Sequence, residues 1–141
     1  MKGELAAFVD TSVLVYALCA DHPEKQRVAR EIVERGFLEG CFATSTQVLI
    51  EVYEILTRHA TVKLSPMEAL DYIRALREWP LVELDTDLAT ASLSLAEREG
   101  LSSWDAAILE SARRADCMRV LSEGLPAGRV VDGVRIENPF A

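Results

Sequence analysis

What this chain lacks narrows its function first. It has no surplus of positive charge: 15 Lys and Arg stand against 23 Asp and Glu, a formal net charge of -8. That excludes a broad basic surface for nucleic acid. It does not exclude a carboxylate site, because acids that hold a divalent cation count as negative yet meet phosphate favourably once loaded. No apolar run approaches the ~20 residues that span a bilayer, so no membrane segment is expected. The opening Met1-Lys2-Gly3-Glu4 lacks a basic stretch leading into a long apolar one, which predicts a cytoplasmic rather than a secreted protein. Cysteine is scarce: Cys19, Cys41 and Cys117 are odd in number and far apart, without zinc-like spacing, and read as reduced thiols. Histidine is scarcer still. His22 falls in a turn and His59 at a helix end, neither with a partner at ligand spacing, so both read as structural. No Ser/His/Asp or Cys/His arrangement offers a nucleophile. There is no linker, repeat or low-complexity stretch, and 141 residues suit one domain, residues 1–141.

What is present is an alternation of short apolar runs with helical patterns. Leu5 to Val9 reads as a buried strand ending at Asp10. A short helix is expected over Ser12 to Ala20, and a second from Pro23 or Glu24 to about Leu38, with Gly36 and Gly40 marking its end. Cys41 to Thr44 fits a brief strand, and Thr46 to His59 a helix. Ser65-Pro66-Met67-Glu68 opens another: Ser65 caps it, Pro66 suits the first helical position and Glu68 completes a capping box. Trp79-Pro80 closes it. Leu81 to Leu84 reads as a strand, and a helix starts at Asp85 or Thr86 and stops at Gly100. Ser102 or Ser103 caps the next, which runs to about Ala115. Met118 to Leu121 is a strand, Glu123 to Gly128 a loop, and Gly133 to Ile136 a final strand. Such alternation implies an α/β fold whose parallel sheet is covered on both faces, with its site at the carboxyl ends of the strands.

Four acids stand in or beside apolar runs: Asp10, Glu51, Asp105 and Glu123. Burying a carboxylate is costly unless a cation or hydrogen bonds compensate it. Each also has a bland reading. Asp10 could simply cap a helix, although Thr11 and Ser12 could cap equally well. Glu51 lies just outside the apolar stripe of its helix, where a long stem can cover the core. Asp105 is the sharpest signal, at the edge of a core face formed by Trp104, Ile108, Ser111, Ala112 and Ala115, with Glu110, Arg113 and Arg114 pointing away. A first-turn Asp also gains about 0.3–1 kcal/mol from the helix dipole, which would not offset full burial. Glu123 follows a strand, in a Gly/Pro loop where acids are commonly exposed. Two basic clusters, Lys25, Arg27 and Arg30, then Arg113, Arg114 and Arg119, read as solvated helix faces.

Together these segments resemble the PIN-domain ribonucleases, in particular the VapC-type toxins of toxin–antitoxin pairs. The resemblance rests on Phe8-Val9-Asp10-Thr11-Ser12-Val13-Leu14-Val15-Tyr16-Ala17, on Ser45-Thr46-Gln47-Val48-Leu49-Ile50-Glu51-Val52-Tyr53 and on Leu101-Ser102-Ser103-Trp104-Asp105-Ala106-Ala107-Ile108. Leu121-Ser122-Glu123-Gly124 and Asn138-Pro139-Phe140 complete it. It implies a three-layer α/β sandwich with a parallel sheet of about five strands between helices. It implies Mg²⁺- or Mn²⁺-dependent cleavage of RNA phosphodiesters, with Asp10, Glu51 and Asp105 as the metal-binding acids and Ser12 as a small polar neighbour. It also implies a cognate antitoxin protein and a toxin homodimer. The family's fourth acid falls at the position of Gly124; either Glu123 takes its place as a catalytic residue or the second metal position is incomplete. Haloacid-dehalogenase-like phosphatases need an acid where Ser12 stands, and response-regulator receivers want a lysine that does not follow Leu121. The rival reading from another class is a PIN fold that binds RNA or protein without cleaving.

Overall fold

The computed structural model describes residues 5–59, 61 and 63–141. Met1 to Glu4, on which the expectation of a non-secreted chain was based, lie outside the described residues.

The element order is β1 (Ala7–Val9), α1 (Thr11–Tyr16), α2 (Pro23–Glu39), β2 (Phe42–Ser45), α3 (Thr46–Glu54), α4 (Pro66–Leu76), β3 (Leu81–Val82), α5 (Thr86–Glu99), α6 (Ser103–Arg114), β4 (Arg119–Leu121), β5 (Val130–Val131) and β6 (Val134–Glu137). The strands form one sheet in the order β3-β2-β1-β4-β6-β5. Five of them run parallel, with Phe8 opposite Ala43 and Val120, and Val9 opposite Leu121. β1, β2 and β4 are therefore central, and their short sequences are almost wholly buried, as a sheet covered on both faces requires.

Local signals account for most boundaries. Ser65 and Glu68 form the reciprocal capping box with Pro66 at the first turn of α4. Ser45, Asp85 and Ser102 accept the Val48, Leu88 and Asp105 N–H groups at the starts of α3, α5 and α6. Gly100 ends α5 in the left-handed conformation, φ 65°, which costs glycine least.

Four expectations change. The first helix spans Thr11–Tyr16 rather than Ser12 to Ala20, because Asp10 caps it and the chain must turn ahead of Pro23. Gly36 does not end α2 but lies inside it; a Cβ there would collide with the indole of Trp79, so the residue's role is close packing. The helix expected up to His59 leaves α-geometry after Glu54 and finishes in a π-helical turn, Ile55–His59. The last strand begins at Val134 because Asp132 and Gly133 both take positive φ, 48° and 83°. They make a two-residue turn that pairs Val131 with Val134 and adds β5 antiparallel at the sheet edge. No helix among the described residues is long and apolar enough to cross a membrane.

Candidate functional site

β1 and β4 are neighbours, and both deliver an acid just past their carboxyl ends. Asp10 leaves β1 in extended backbone, φ -84° and ψ 169°, and its Oδ1 accepts the Thr11 N–H at 2.7 Å. It is thus the helix cap that the sequence assigned equally well to Thr11 or Ser12. Its Oδ2 accepts the Ser122 hydroxyl at 2.8 Å. One residue therefore both starts α1 and faces a cleft.

That cleft, about 240 Å³, is lined by Asp10, Glu51 and Asp105 together with Ser12, Gln47 and Gly124. Three expected site residues on three different segments thus share one concavity with Ser12. Glu51 arrives from α3, where its Oε2 accepts the Thr11 hydroxyl at 2.6 Å and its Oε1 accepts Gln47 Nε2 at 3.1 Å. Asp105 arrives from the first turn of α6, held through its backbone N–H by Ser102 Oγ at 3.1 Å. Ile55, where the π-helical turn begins, also lines the cleft, in keeping with the tendency of such turns to occur at functional sites.

The electrostatics of this cleft are uncompensated. Burial pushes the Asp10 carboxyl above the ordinary Asp range; the Thr11 and Ser122 hydrogen bonds oppose that, and repulsion from Glu51 and Asp105 adds to it. The ion pairs among the described residues leave Asp10, Glu51 and Asp105 without a basic partner. Nor do three His, Cys or acidic side chains among the described residues close into a ready-made ligand cage. Mg²⁺ usually keeps several waters and takes one or two carboxylates. An open, oxygen-only cleft therefore fits such an ion better than a cage would. Asp10 and Glu51 each accept one hydrogen bond per oxygen, which leaves further lone pairs for a cation.

Glu123 does not line the cleft. Its Oε1 accepts the Tyr16 hydroxyl at 2.6 Å and its Oε2 pairs with Lys25 Nζ at 2.7 Å. Burial alone would raise its carboxyl, but Lys25 and Tyr16 outweigh it and hold the group below the usual Glu range. Its backbone N–H donates to Ser12 Oγ at 3.0 Å. Gly124, which does line the cleft, has open space where a Cβ would stand and no positive φ.

Sequence reasoning overlooked Thr11, Gln47 and Ser122, which orient the acids, and Tyr16 and Lys25, which neutralise Glu123. Gln47 was legible in principle, four residues before Glu51 on one helix face. The others depend on contacts between distant segments. The face assigned to α6 also needs correction. Trp104 is 62% exposed, and Glu110 is buried and pairs with Arg113 at 2.8 Å. The helix packs on α5 and on the sheet together, so Ala106 through Ala112 are buried nearly all round, while Trp104 sits in the first turn, at the cleft. The basic clusters are largely spent internally: Arg114 pairs with Asp85, Arg119 with Glu137 and Arg27 with Glu24 and Glu31.

The order of elements, the five parallel strands and the acid-lined cleft at their carboxyl ends define a three-layer α/β domain. The chain belongs to the PIN domain family, whose model matches residues 7–124. Among solved structures it is similar to a toxin–antitoxin complex from Klebsiella pneumoniae, at 19% identity and TM-score 0.67, covering 95% of this chain and 98% of that one. It is similar to VapBC2 from Rickettsia felis bound to a promoter DNA fragment, at 16% identity and TM-score 0.63, covering 95% and 98%. VapC20 from Mycobacterium tuberculosis, a toxin that cleaves the sarcin–ricin loop, matches at 19% identity and TM-score 0.59, covering 82% and 87%. No curated protein matches the chain.

Proposed function

We propose that this chain is a divalent-metal-dependent endoribonuclease and the toxin of a toxin–antitoxin pair. The observation that carries this reading is the gathering of Asp10, Glu51 and Asp105 in one cleft at the carboxyl ends of the central strands, without a basic partner among the described residues. In this reading the three carboxylates hold Mg²⁺ or Mn²⁺ and are the catalytic acids. Thr11 and Gln47 fix the Glu51 carboxylate, and Ser122 fixes that of Asp10. Ser12 ties the Glu123 backbone to α1 and so shapes the rim. A divalent ion, when bound, lowers the pKa of water and stabilises charge growing on a phosphate. The raised Asp10 carboxyl must lose its proton before it serves as a ligand, so cation binding weakens as pH falls.

Glu123 belongs to the same reading at the rim, where Lys25 and Tyr16 hold its carboxylate. The empty space at Gly124 favours a single main cation position, and it also keeps a second reading in view, a PIN fold that binds RNA or protein without cutting. The partner that suits an uncompensated acid cluster is a protein segment carrying a basic side chain, as an antitoxin would supply. A homodimer and a cytoplasmic location complete the proposal.

Purified protein should cut RNA with Mg²⁺ or Mn²⁺ present and stop when EDTA is added. If EDTA-treated protein or the Asp105→Asn variant cuts at the wild-type rate, the metal-nuclease reading is wrong. Protein that binds RNA but never cuts it, with any divalent ion, would establish the binding-module reading instead. Co-expression with a small neighbouring gene should give a complex with suppressed cleavage.

A further inference from the structure

Beside the acid cleft lies a second, larger pocket of about 470 Å³, lined by Thr46, Gln47, Ile50, Glu51, Leu84 and Trp104. Gln47, Glu51 and Trp104 line both, so the two concavities adjoin. The walls are built, not accidental: Thr46 Oγ1 accepts the Leu84 N–H at 3.2 Å and ties the start of α3 to the segment after β3. Trp104 is 62% exposed and Ile50 67%, an unusual investment of apolar surface at the mouth of an acidic site.

Gln47 stands at the shared wall. Its Nε2 donates to Glu51 Oε1 at 3.1 Å and to the Trp104 carbonyl at 3.2 Å. Two acceptors fix the amide's orientation, since the oxygen could satisfy neither. Its Oε1 is buried and accepts no hydrogen bond, on a residue only 6% exposed. A buried acceptor without a donor is costly, and a ligand that brings an N–H relieves the cost.

We infer that this pocket is a nucleobase subsite: a base flanking the phosphate held in the acid cleft stacks on the Trp104 indole, against Ile50 and Leu84, and turns an N–H toward Gln47 Oε1. The inference rests on the ribonuclease reading and adds where the substrate is gripped. Base recognition in single-stranded RNA commonly combines an aromatic platform with hydrogen bonds to the base edge. A pocket that shares walls with the phosphate cleft is reached by the adjoining nucleotide without a spacer. The Gln47 oxygen is covered while the pocket is empty, so a base reaches it only when the pocket wall moves. An apolar face of a second copy would fill the same pocket but bring no donor to Gln47.

The test uses tryptophan fluorescence and kinetics on the full chain. Of the two tryptophans, Trp79 is buried and Trp104 is exposed, so a bound base reports through Trp104. A short single-stranded oligoribonucleotide with Mg²⁺, read by stopped flow before cleavage, should change the emission. The same sugar–phosphate chain without bases should not. Trp104→Ala should weaken RNA binding roughly tenfold, with the loss falling mainly on KM, and Trp104→Phe should restore most of it. If the wild type cuts RNA and Trp104→Ala keeps the same KM, the subsite is wrong and the nuclease reading stands. If the wild type never cuts but RNA still perturbs Trp104 and the base-free chain does not, the subsite stands and the nuclease reading falls. If RNA leaves the emission unchanged while Trp104→Ala turns a dimer into a monomer, the pocket is a contact between copies and the inference is overturned.

Discussion

Asp10 and Glu123 follow neighbouring parallel strands and end in opposite electrostatic states. Among the described residues, Asp10 is half-buried beside two other acids with no basic partner, and its carboxyl is raised. Glu123, one strand over, is claimed by Lys25 and Tyr16, and its carboxyl is lowered. The same residue chemistry at equivalent ends of one sheet thus serves two purposes. A compensated acid ties loop to helix and is satisfied as it stands. An uncompensated cluster stores repulsion that a cation relieves, which marks the cleft rather than the Glu123 corner as the place where chemistry is proposed to occur.

The largest effect that can break this contrast is on cleavage. Asp10→Asn and Asp105→Asn should each reduce metal-dependent RNA cleavage by more than about a hundredfold, because even residues that merely support a metal ligand are commonly worth 10–100-fold. Glu123→Gln should lower it by less than about tenfold. Equal losses in single-turnover assays would show that Glu123 works alongside the other three and that its pairing with Lys25 opens in the active enzyme.

Metal-linked stability comes next. Mn²⁺ at about a hundred times its Kd should stabilise the wild type by about 2.7 kcal/mol, seen as a rise in Tm. Asp105→Asn should lose most of that rise and Glu123→Gln should keep it. A Tm that ignores Mn²⁺ in the wild type would remove the cation from the argument altogether.

Gly124→Asp sharpens the comparison by adding an acid to the unpaired side. The backbone needs no positive φ there and a Cβ meets open space, so the variant should fold. Mn²⁺ binding, followed by calorimetry, should tighten or gain a second event. A folded variant with unchanged binding would show that the position is dispensable in this chain.

The smallest effects are on metal-free stability, and their signs oppose. A raised folded-state carboxyl favours the fold at low pH, and that contribution is lost as pH rises through the raised value. Asp10→Asn retains a good helix cap and should therefore melt higher than the wild type at neutral pH, with the gap closing as pH falls toward the ordinary Asp value. A lowered carboxyl works the other way, stabilising above the unfolded value and fading as pH falls through the folded one. Glu123→Gln should melt lower at neutral pH, with its gap also closing in acid. Melting curves with the same sign for both variants would mean that the two acids do not differ as described.

The amino-acid sequence alone determined the α/β class, the order of the elements and most helix caps, because these depend on residues within one turn of each other. The Ser65–Glu68 box, Asp85, Ser102 and Gly100 needed no distant partner. The Asp132-Gly133 turn was equally local, and its two positive-φ positions were there to be read as a hairpin. The positions of Asp10, Glu51 and Asp105 stood out because acids beside apolar runs violate the usual burial pattern. Only the tertiary structure decided which acids share a cleft. Whether a carboxylate is satisfied depends on side chains far along the chain, as Glu123 is by Lys25, and residue type carries no record of that pairing. The same holds for Trp104 and Glu110, whose exposure and burial were exchanged relative to the periodicity. A helical wheel assumes one buried face, whereas α6 packs against α5 and the sheet at once and frees only its two ends, the first of them beside the acids.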